Sequence, residues 1–135
     1  MASNGPWKIY FFMDSQSRSS GDPPALTFLQ NSPVAVEAEL MATIDAVAAG
    51  PPPSFRGGGR YRIMHGSMTG WHEARTKHDK RLYRLFCLHD RKAYGLPGAA
   101  LVVVAGGVKA NETAFTKTFY RRIQMLGQAY LASNP

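Results

Sequence analysis

The stretch WHEARTKHDKRLYRLFCL, residues 71–88, decides the fold of this chain. Its first part, residues 71–78, alternates between two sets of side chains, which is typical of a β-strand. Its second part, residues 82–89, is apolar on both faces, as expected of a strand inside a sheet. A polar turn around Asp79 separates the two. The sequence therefore predicts an antiparallel hairpin at the centre of a β-sheet.

Arg84 interrupts the apolar second strand. A guanidinium stays protonated in a protein and is expensive to bury without a partner. Arg84 therefore needs a carboxylate, for which Glu73 on the neighbouring strand is the candidate, or an anionic ligand. The residues alone leave both alternatives open.

Upstream of the hairpin the sequence predicts one strand and one helix. The segment Trp7–Met13 is β-branched and aromatic, which is typical of a strand. Ser32 is expected to cap a helix that begins with Pro33. Gly50 and the prolines that follow it are expected to end that helix.

Downstream of the hairpin the sequence predicts one strand and one helix. The segment Ala99–Ala105 is continuously apolar and is expected to be a buried strand that Gly106 and Gly107 break. Thr113 is expected to cap a last helix over Ala114–Leu131. The apolar stripe of that helix comprises Phe115, Phe119, Ile123 and Leu126.

This order of elements predicts an α+β fold. A short strand is also conceivable at Tyr61–Met64. Without it the order is β-α-β-β-β-α, an antiparallel central sheet with helices packed on it. The length of 135 residues and the absence of an internal repeat predict a single domain over residues 1–135.

The cysteine content and hydropathy indicate a cytoplasmic protein. The single Cys87 cannot form an internal disulfide, which fits a reducing compartment. No apolar run approaches the roughly 20 residues that span a bilayer, and the first residues do not read as a signal peptide. We therefore expect no association with a membrane.

The positive charge is concentrated in one part of the chain. Residues 1–55 carry two Lys or Arg against five Asp or Glu, whereas residues 56–135 carry fourteen against four. A positive field of this kind favours a polyanionic partner, most simply a nucleic acid. The alternative is a solvated basic surface.

The motifs together resemble the RelE/HigB toxin superfamily, and most closely its HigB-like, phage-derived branch. The resemblance rests on Gly70–Arg75, on Leu82–Phe86, and on Leu101–Ala105 followed by Lys109 and a C-terminal helix. It covers about residues 55–132. It implies a RelE-like fold and a type II toxin that enters the ribosomal decoding site and cleaves mRNA there. Such an endoribonuclease uses no metal or other cofactor and is held inactive by a cognate antitoxin protein.

The resemblance and the chemistry of RNA cleavage nominate the site residues. Arg84 matches the strand arginine of the family and is the candidate to stabilise charge on the phosphate. Lys109 and Arg75 match further basic positions, and His78 is the candidate acid or base because histidine titrates near neutral pH. The four His residues lack a metal-binding spacing. Further candidates for binding RNA are Lys77, Lys80, Arg81, Arg121 and Arg122.

Two other functions remain open from the sequence. One is an RNA- or ribosome-binding module that does not cleave. Ala110 favours it, because many relatives carry a second lysine at that position. The other is a phage-encoded interaction protein whose basic surface holds an acidic partner.

Overall fold

A five-stranded mixed β-sheet organises the chain. The structure is a computed structural model and describes residues 7–14, 21–51, 59–90, 99–110 and 115–133. The strands are β1 (Lys8–Phe11), β2 (Tyr61–Ile63), β3 (His72–His78), β4 (Arg81–Asp90) and β5 (Ala100–Ala110). The helices are α1 (Pro24–Gln30), α2 (Val34–Ala49) and α3 (Lys117–Ser133). The strands lie in the order β1-β5-β4-β3-β2.

The predicted hairpin is confirmed as β3 and β4. The two strands are antiparallel, with His78 opposite Arg81 and Arg75 opposite Arg84. Asp79 and Lys80 form the turn with φ of 52° and 64°. Positive φ at both central residues is what a two-residue type I′ turn requires. Strand β4 is the middle strand, and β5 pairs with it on the side away from β3.

The α+β class is confirmed, but the sheet is mixed and the element order differs from the prediction. Strand β1 pairs with β5 in parallel, with Lys8 beside Ala100. Helix α1 precedes α2, and β2 adds a strand before the hairpin, which gives β-α-α-β-β-β-β-α. Helix α1 has seven residues, too few for a helical period to stand out. Alternation within one strand carries no information on the direction of its neighbour.

Strand β5 does not end at Gly106 and Gly107, so the predicted break is wrong. The strand continues to Ala110. The Phe28 ring packs on Gly106 and the Phe119 ring on Gly107, and a Cβ at either glycine would overlap the ring. The glycines therefore permit aromatic side chains to approach the strand backbone closely.

We expect Gly106→Ala to destabilise the protein. The added methyl group would overlap the middle of the Phe28 ring, and such overpacking typically lowers the free energy of unfolding by about 1–3 kcal/mol. Thermal or urea unfolding would measure the change. Gly50→Ala is the control, since its Cβ would meet nothing closer than the Ala46 carbonyl at 3.9 Å. Equal unfolding curves for Gly106→Ala and the parent protein would contradict the packing argument.

Helices cover both faces of the sheet. On one face, here called the α1/α2 face, Leu85 and Val103 of the sheet belong to the same core cluster as Leu40 of α2. On the other face, here called the α3 face, Phe86 of the sheet clusters with Ile123 of α3. Because side chains alternate along each strand, these two cores fix which residues share a face.

Both long helices begin later than predicted. Pro33, rather than Ser32, is the N-cap of α2, and the Ser32 hydroxyl instead donates to the carbonyl of Phe28. Helix α3 begins at Lys117, where the Thr116 hydroxyl accepts a hydrogen bond from the N–H of Phe119 at 3.1 Å. The predicted cap at Thr113 lies outside the described residues, as does Ala114.

The predicted apolar stripe of the last helix packs on the sheet although its first member precedes the helix. Ile123 is buried and Phe119 lies on β5. Phe115 stacks on Phe119 with ring centroids 4.4 Å apart and meets Phe86 edge-on. Within the described residues, no helix combines the length and the apolar character needed to cross a bilayer.

Candidate functional site

The α3 face of the sheet gathers basic side chains from four neighbouring strands. In the strand register Arg62 lies opposite Glu73, and Arg75 lies opposite Arg84. In the next row towards the hairpin turn, Leu82 lies between Lys77 of β3 and Lys109 of β5. These alternations place five cations on one face, here called the cationic face: Arg62, Arg75, Lys77, Arg84 and Lys109.

Glu73 holds two of these cations at once. Its Oε2 accepts from Nε of Arg62 at 2.9 Å, and its Oε1 lies 3.2 Å from Nε of Arg84. The side chains of Glu73 and Arg84 are both 6% exposed, whereas that of Arg62 is 60% exposed. A second donor of Arg84, Nη1, bonds the carbonyl of Tyr83. Of the two partners that the sequence leaves open for Arg84, a carboxylate or an anionic ligand, the structure shows the carboxylate of Glu73.

The buried arginine remains charged in this setting. Burial lowers the pKa of Arg84, the neighbouring Glu73 carboxylate raises it, and the charges of Arg75 and Arg62 lower it again. A guanidinium nevertheless stays protonated at any physiological pH. The cationic face thus carries five positive charges against one carboxylate in the register rows described, which leaves it strongly positive.

Lys109 lies beside an aromatic ring, and its pKa is lowered. Its Nζ lies over the ring of Phe115, 5.0 Å from the centroid, in cation–π geometry. Partial burial and then the charge of Arg84 lower the pKa of Lys109, although Glu73 acts in the opposite direction. A lowered pKa brings an ammonium group closer to the neutral form that can accept a proton.

Tyr120 of α3 borders the cationic face. Its ring lies 6.3 Å from that of Phe86 on the middle strand. Partial burial and then the Glu73 carboxylate raise the pKa of Tyr120, against the opposing charges of Arg84 and Arg62. The phenol therefore keeps its proton at neutral pH and could donate it to a leaving group.

The structure does not bring His78 together with Arg84. His78 shares its side of β3 with Thr76, whose hydroxyl donates to Glu39 of α2 on the α1/α2 face. Arg81 lies opposite His78 and belongs to that same side of the sheet. Lys80 is exposed in the hairpin turn.

The two arginines of α3 also lie apart from the cationic face. Arg121 and Arg122 are exposed and line grooves with Met125, on sides of α3 other than the one that carries Tyr120. Arg122 additionally borders a groove over Phe12. Of the nine basic or histidine candidates from the sequence, the structure brings Arg84, Lys109, Arg75 and Lys77 onto one surface.

Sequence reasoning missed Arg62 and gave Tyr120 no chemical role. Arg62 lies in a strand of three residues, where alternation is too brief to assign a face. The available signal was its position between Tyr61 and Ile63 in the short candidate strand. For Tyr120 the signal was helical spacing, since it lies three residues before the buried Ile123.

The described residues supply no evident metal site or reactive thiol. Among them, no three His, Cys, Asp or Glu side chains come together in a way that could hold a metal ion. Cys87 is fully buried, and this burial raises the pKa of its thiol. The described ionisable groups on and beside the cationic face belong to arginine, lysine, tyrosine and one glutamate.

Comparisons of the chain with protein-family models, with curated proteins and with solved structures gave no match. The fold and the cationic face are therefore the features that indicate a function.

Proposed function

We propose that this protein is a type II toxin with a RelE/HigB-like fold, which binds mRNA on the ribosome through its cationic face and cleaves it. The observation that carries the proposal is the assembly of five cations around the carboxylate of Glu73, next to Tyr120. A surface with this charge excess attracts a phosphodiester backbone and binds it by releasing counterions. The motif resemblance in β3, β4 and β5 supports the same assignment.

The proposed reaction is transesterification within the RNA strand. The 2′-oxygen attacks the adjacent phosphorus, its proton passes to a base, and the 5′-oxygen leaves with a proton from an acid. The products are a 2′,3′-cyclic phosphate and a free 5′-hydroxyl. Lys109, with its lowered pKa, is the candidate base and Tyr120 the candidate acid. The exposed cations of this face stabilise the extra negative charge on the phosphate oxygens.

One observation favours a second candidate function, an RNA- or ribosome-binding protein that does not cleave. The described strand rows that form the cationic face contain no histidine. His78 lies on the other side of the sheet, and His72 stacks on His89 with centroids 3.6 Å apart, beside Tyr61. A face rich in fixed charge but lacking a group that titrates near pH 7 is suited to binding.

Cell-free translation with primer extension on the mRNA distinguishes these functions. Cuts at codon spacing support the nuclease, and a translation block without cuts supports the non-cleaving binder. Full translation at excess protein overturns both and leaves the interaction protein. The matched variants are Arg62→Gln/Lys77→Gln on the cationic face and Lys8→Gln on β1, at the opposite edge of the sheet. We expect the first to lose the effect and the second to keep it.

Binding of single-stranded RNA is expected to weaken steeply with salt. Each phosphate contact contributes about 0.7 to the slope of log affinity against log salt for single strands. Arg62→Gln/Lys77→Gln removes two cations and should reduce that slope by about 1.4, while Lys8→Gln should leave it unchanged. Fluorescence anisotropy between low and physiological salt measures it. An affinity that does not respond to salt would contradict a phosphate-binding face.

The proposal implies an inhibitor in the same bacterial cytoplasm. A free ribosome-dependent nuclease would stop its own cell, so a cognate antitoxin must hold it inactive. An acidic segment is suited to this role, because opposite charge speeds its association and covers the cationic face. Copurification from cells that express both proteins would test this pairing.

A further inference from the structure

Glu73 connects an exposed arginine to a buried one. We propose that Glu73 is a positioning residue which holds Arg62 ready to bind an RNA phosphodiester, and that Arg84 acts through Glu73 rather than on the RNA. This inference rests on the proposed function in taking RNA as the ligand. It reassigns the direct phosphate contact from the arginine that the sequence nominates to one that the sequence does not.

Accessibility separates the roles of the two arginines. The side chain of Arg84 is 6% exposed and is engaged by Glu73 and by the carbonyl of Tyr83. The side chain of Arg62 is 60% exposed. A phosphate arriving from solvent therefore meets Arg62 first.

Glu73 does not engage the two terminal nitrogens of the Arg62 guanidinium. The carboxylate contacts Nε, which is the inner nitrogen of the guanidinium. Among the described residues, no acceptor is hydrogen-bonded to the two terminal nitrogens of Arg62. Those two N–H groups form a planar fork that matches two phosphate oxygens.

The position of Glu73 is itself fixed by burial and by Arg84. Each carboxylate oxygen takes one arginine, Oε2 for Arg62 and Oε1 for Arg84. These contacts run across β2, β3 and β4. The anchored Glu73 carboxylate therefore restrains the long side chain of Arg62, which lies on the three-residue edge strand β2. A side chain that is already ordered loses less entropy on binding its ligand.

Charge counting and positioning predict opposite results for Glu73→Gln. Removing an acid makes the face more positive, so charge alone predicts tighter RNA binding. Positioning predicts weaker binding, by up to about tenfold, the value of one charge-assisted hydrogen bond. Arg62→Gln should weaken binding to a similar extent with an unchanged melting temperature, and Arg62→Lys should restore only part of it because it lacks the fork.

A second variant keeps the test valid if Glu73→Gln folds poorly. Glu73→Leu/Arg84→Met removes the buried pair without changing the net charge, so charge alone predicts unchanged binding. We expect weaker binding, and we expect that adding Arg62→Gln to this variant weakens it little further. Such non-additivity is the signature of residues that act as one unit.

The measurement is anisotropy of a labelled single-stranded oligoribonucleotide without ribosomes, with melting temperatures for every variant and Lys8→Gln as control. Weaker binding by Glu73→Gln and by the charge-neutral double variant supports the inference. Equal or tighter binding by the folded variants overturns it while leaving the proposed function standing. Wild-type protein that binds no RNA in this assay also overturns the inference, whereas the proposed function is tested separately by cell-free translation on ribosomes.

Discussion

Arg84→Ala is expected to lower the free energy of unfolding by about 3–5 kcal/mol, the usual effect of removing one partner from a buried ion pair. The loss would leave the buried Glu73 carboxylate with only Arg62, whose side chain is largely in water. Thermal unfolding of Arg84→Ala and Arg84→Lys measures the effect. The lysine should recover part of the stability, since it keeps the charge but not the Nε–Nη geometry.

The matched control for Arg84→Ala removes both charges together. Glu73→Leu/Arg84→Met should unfold within about 1 kcal/mol of the parent protein, because apolar groups can replace a buried pair without penalty. Its translation inhibition should nevertheless fall, because Arg62 has lost its support. An Arg84→Ala protein with wild-type melting temperature would contradict the importance of the pair. A stable double variant with full activity would contradict its role at the site.

Expression of the wild-type chain alone is expected to arrest growth of a bacterial host. Under the proposed function, translation stops because the cationic face binds mRNA in the decoding site, which is then cleaved or blocked. Arg62→Gln/Lys109→Gln should relieve the arrest, because it removes the exposed phosphate contact and the candidate base. Colony counts after induction measure this over several orders of magnitude.

Protein level decides how the growth experiment is interpreted. The Lys8→Gln protein loses one positive charge on the far edge strand and should still arrest growth. Immunoblots have to show comparable soluble amounts of all variants. Normal growth with abundant soluble wild-type protein would contradict the toxin assignment.

The hairpin was predictable because its information is local. Alternation in residues 71–78, the apolar second strand and the turn at Asp79 together specify the pairing and its register. The register places Glu73 and Arg84 on one face, so the need of a buried arginine for a carboxylate was a sound guide to their ion pair. Each of these inferences uses residues that are close in sequence.

The parts that escaped prediction depend on contacts between distant residues. The direction of β1 is set by its pairing with β5, and the glycines of β5 are explained by Phe28 and Phe119 from two different helices. His78 is only three residues from Arg75 in the chain. Side chains alternate along a strand, however, so residues that are an odd number of positions apart lie on opposite faces of the sheet. His78 is two residues from Thr76 and shares its face, which is the face opposite to that of Arg75.

The parallel pairing of β1 with β5 bears on how the chain folds. Lys8 reaches its neighbour Ala100 only after most of the chain has been made. Pairings of such long sequence separation raise the contact order and slow folding, since the loop must close before the strands gain their hydrogen bonds. Strand β5 also supplies Lys109, so the newly made chain completes its sheet and its cationic face in the same late step.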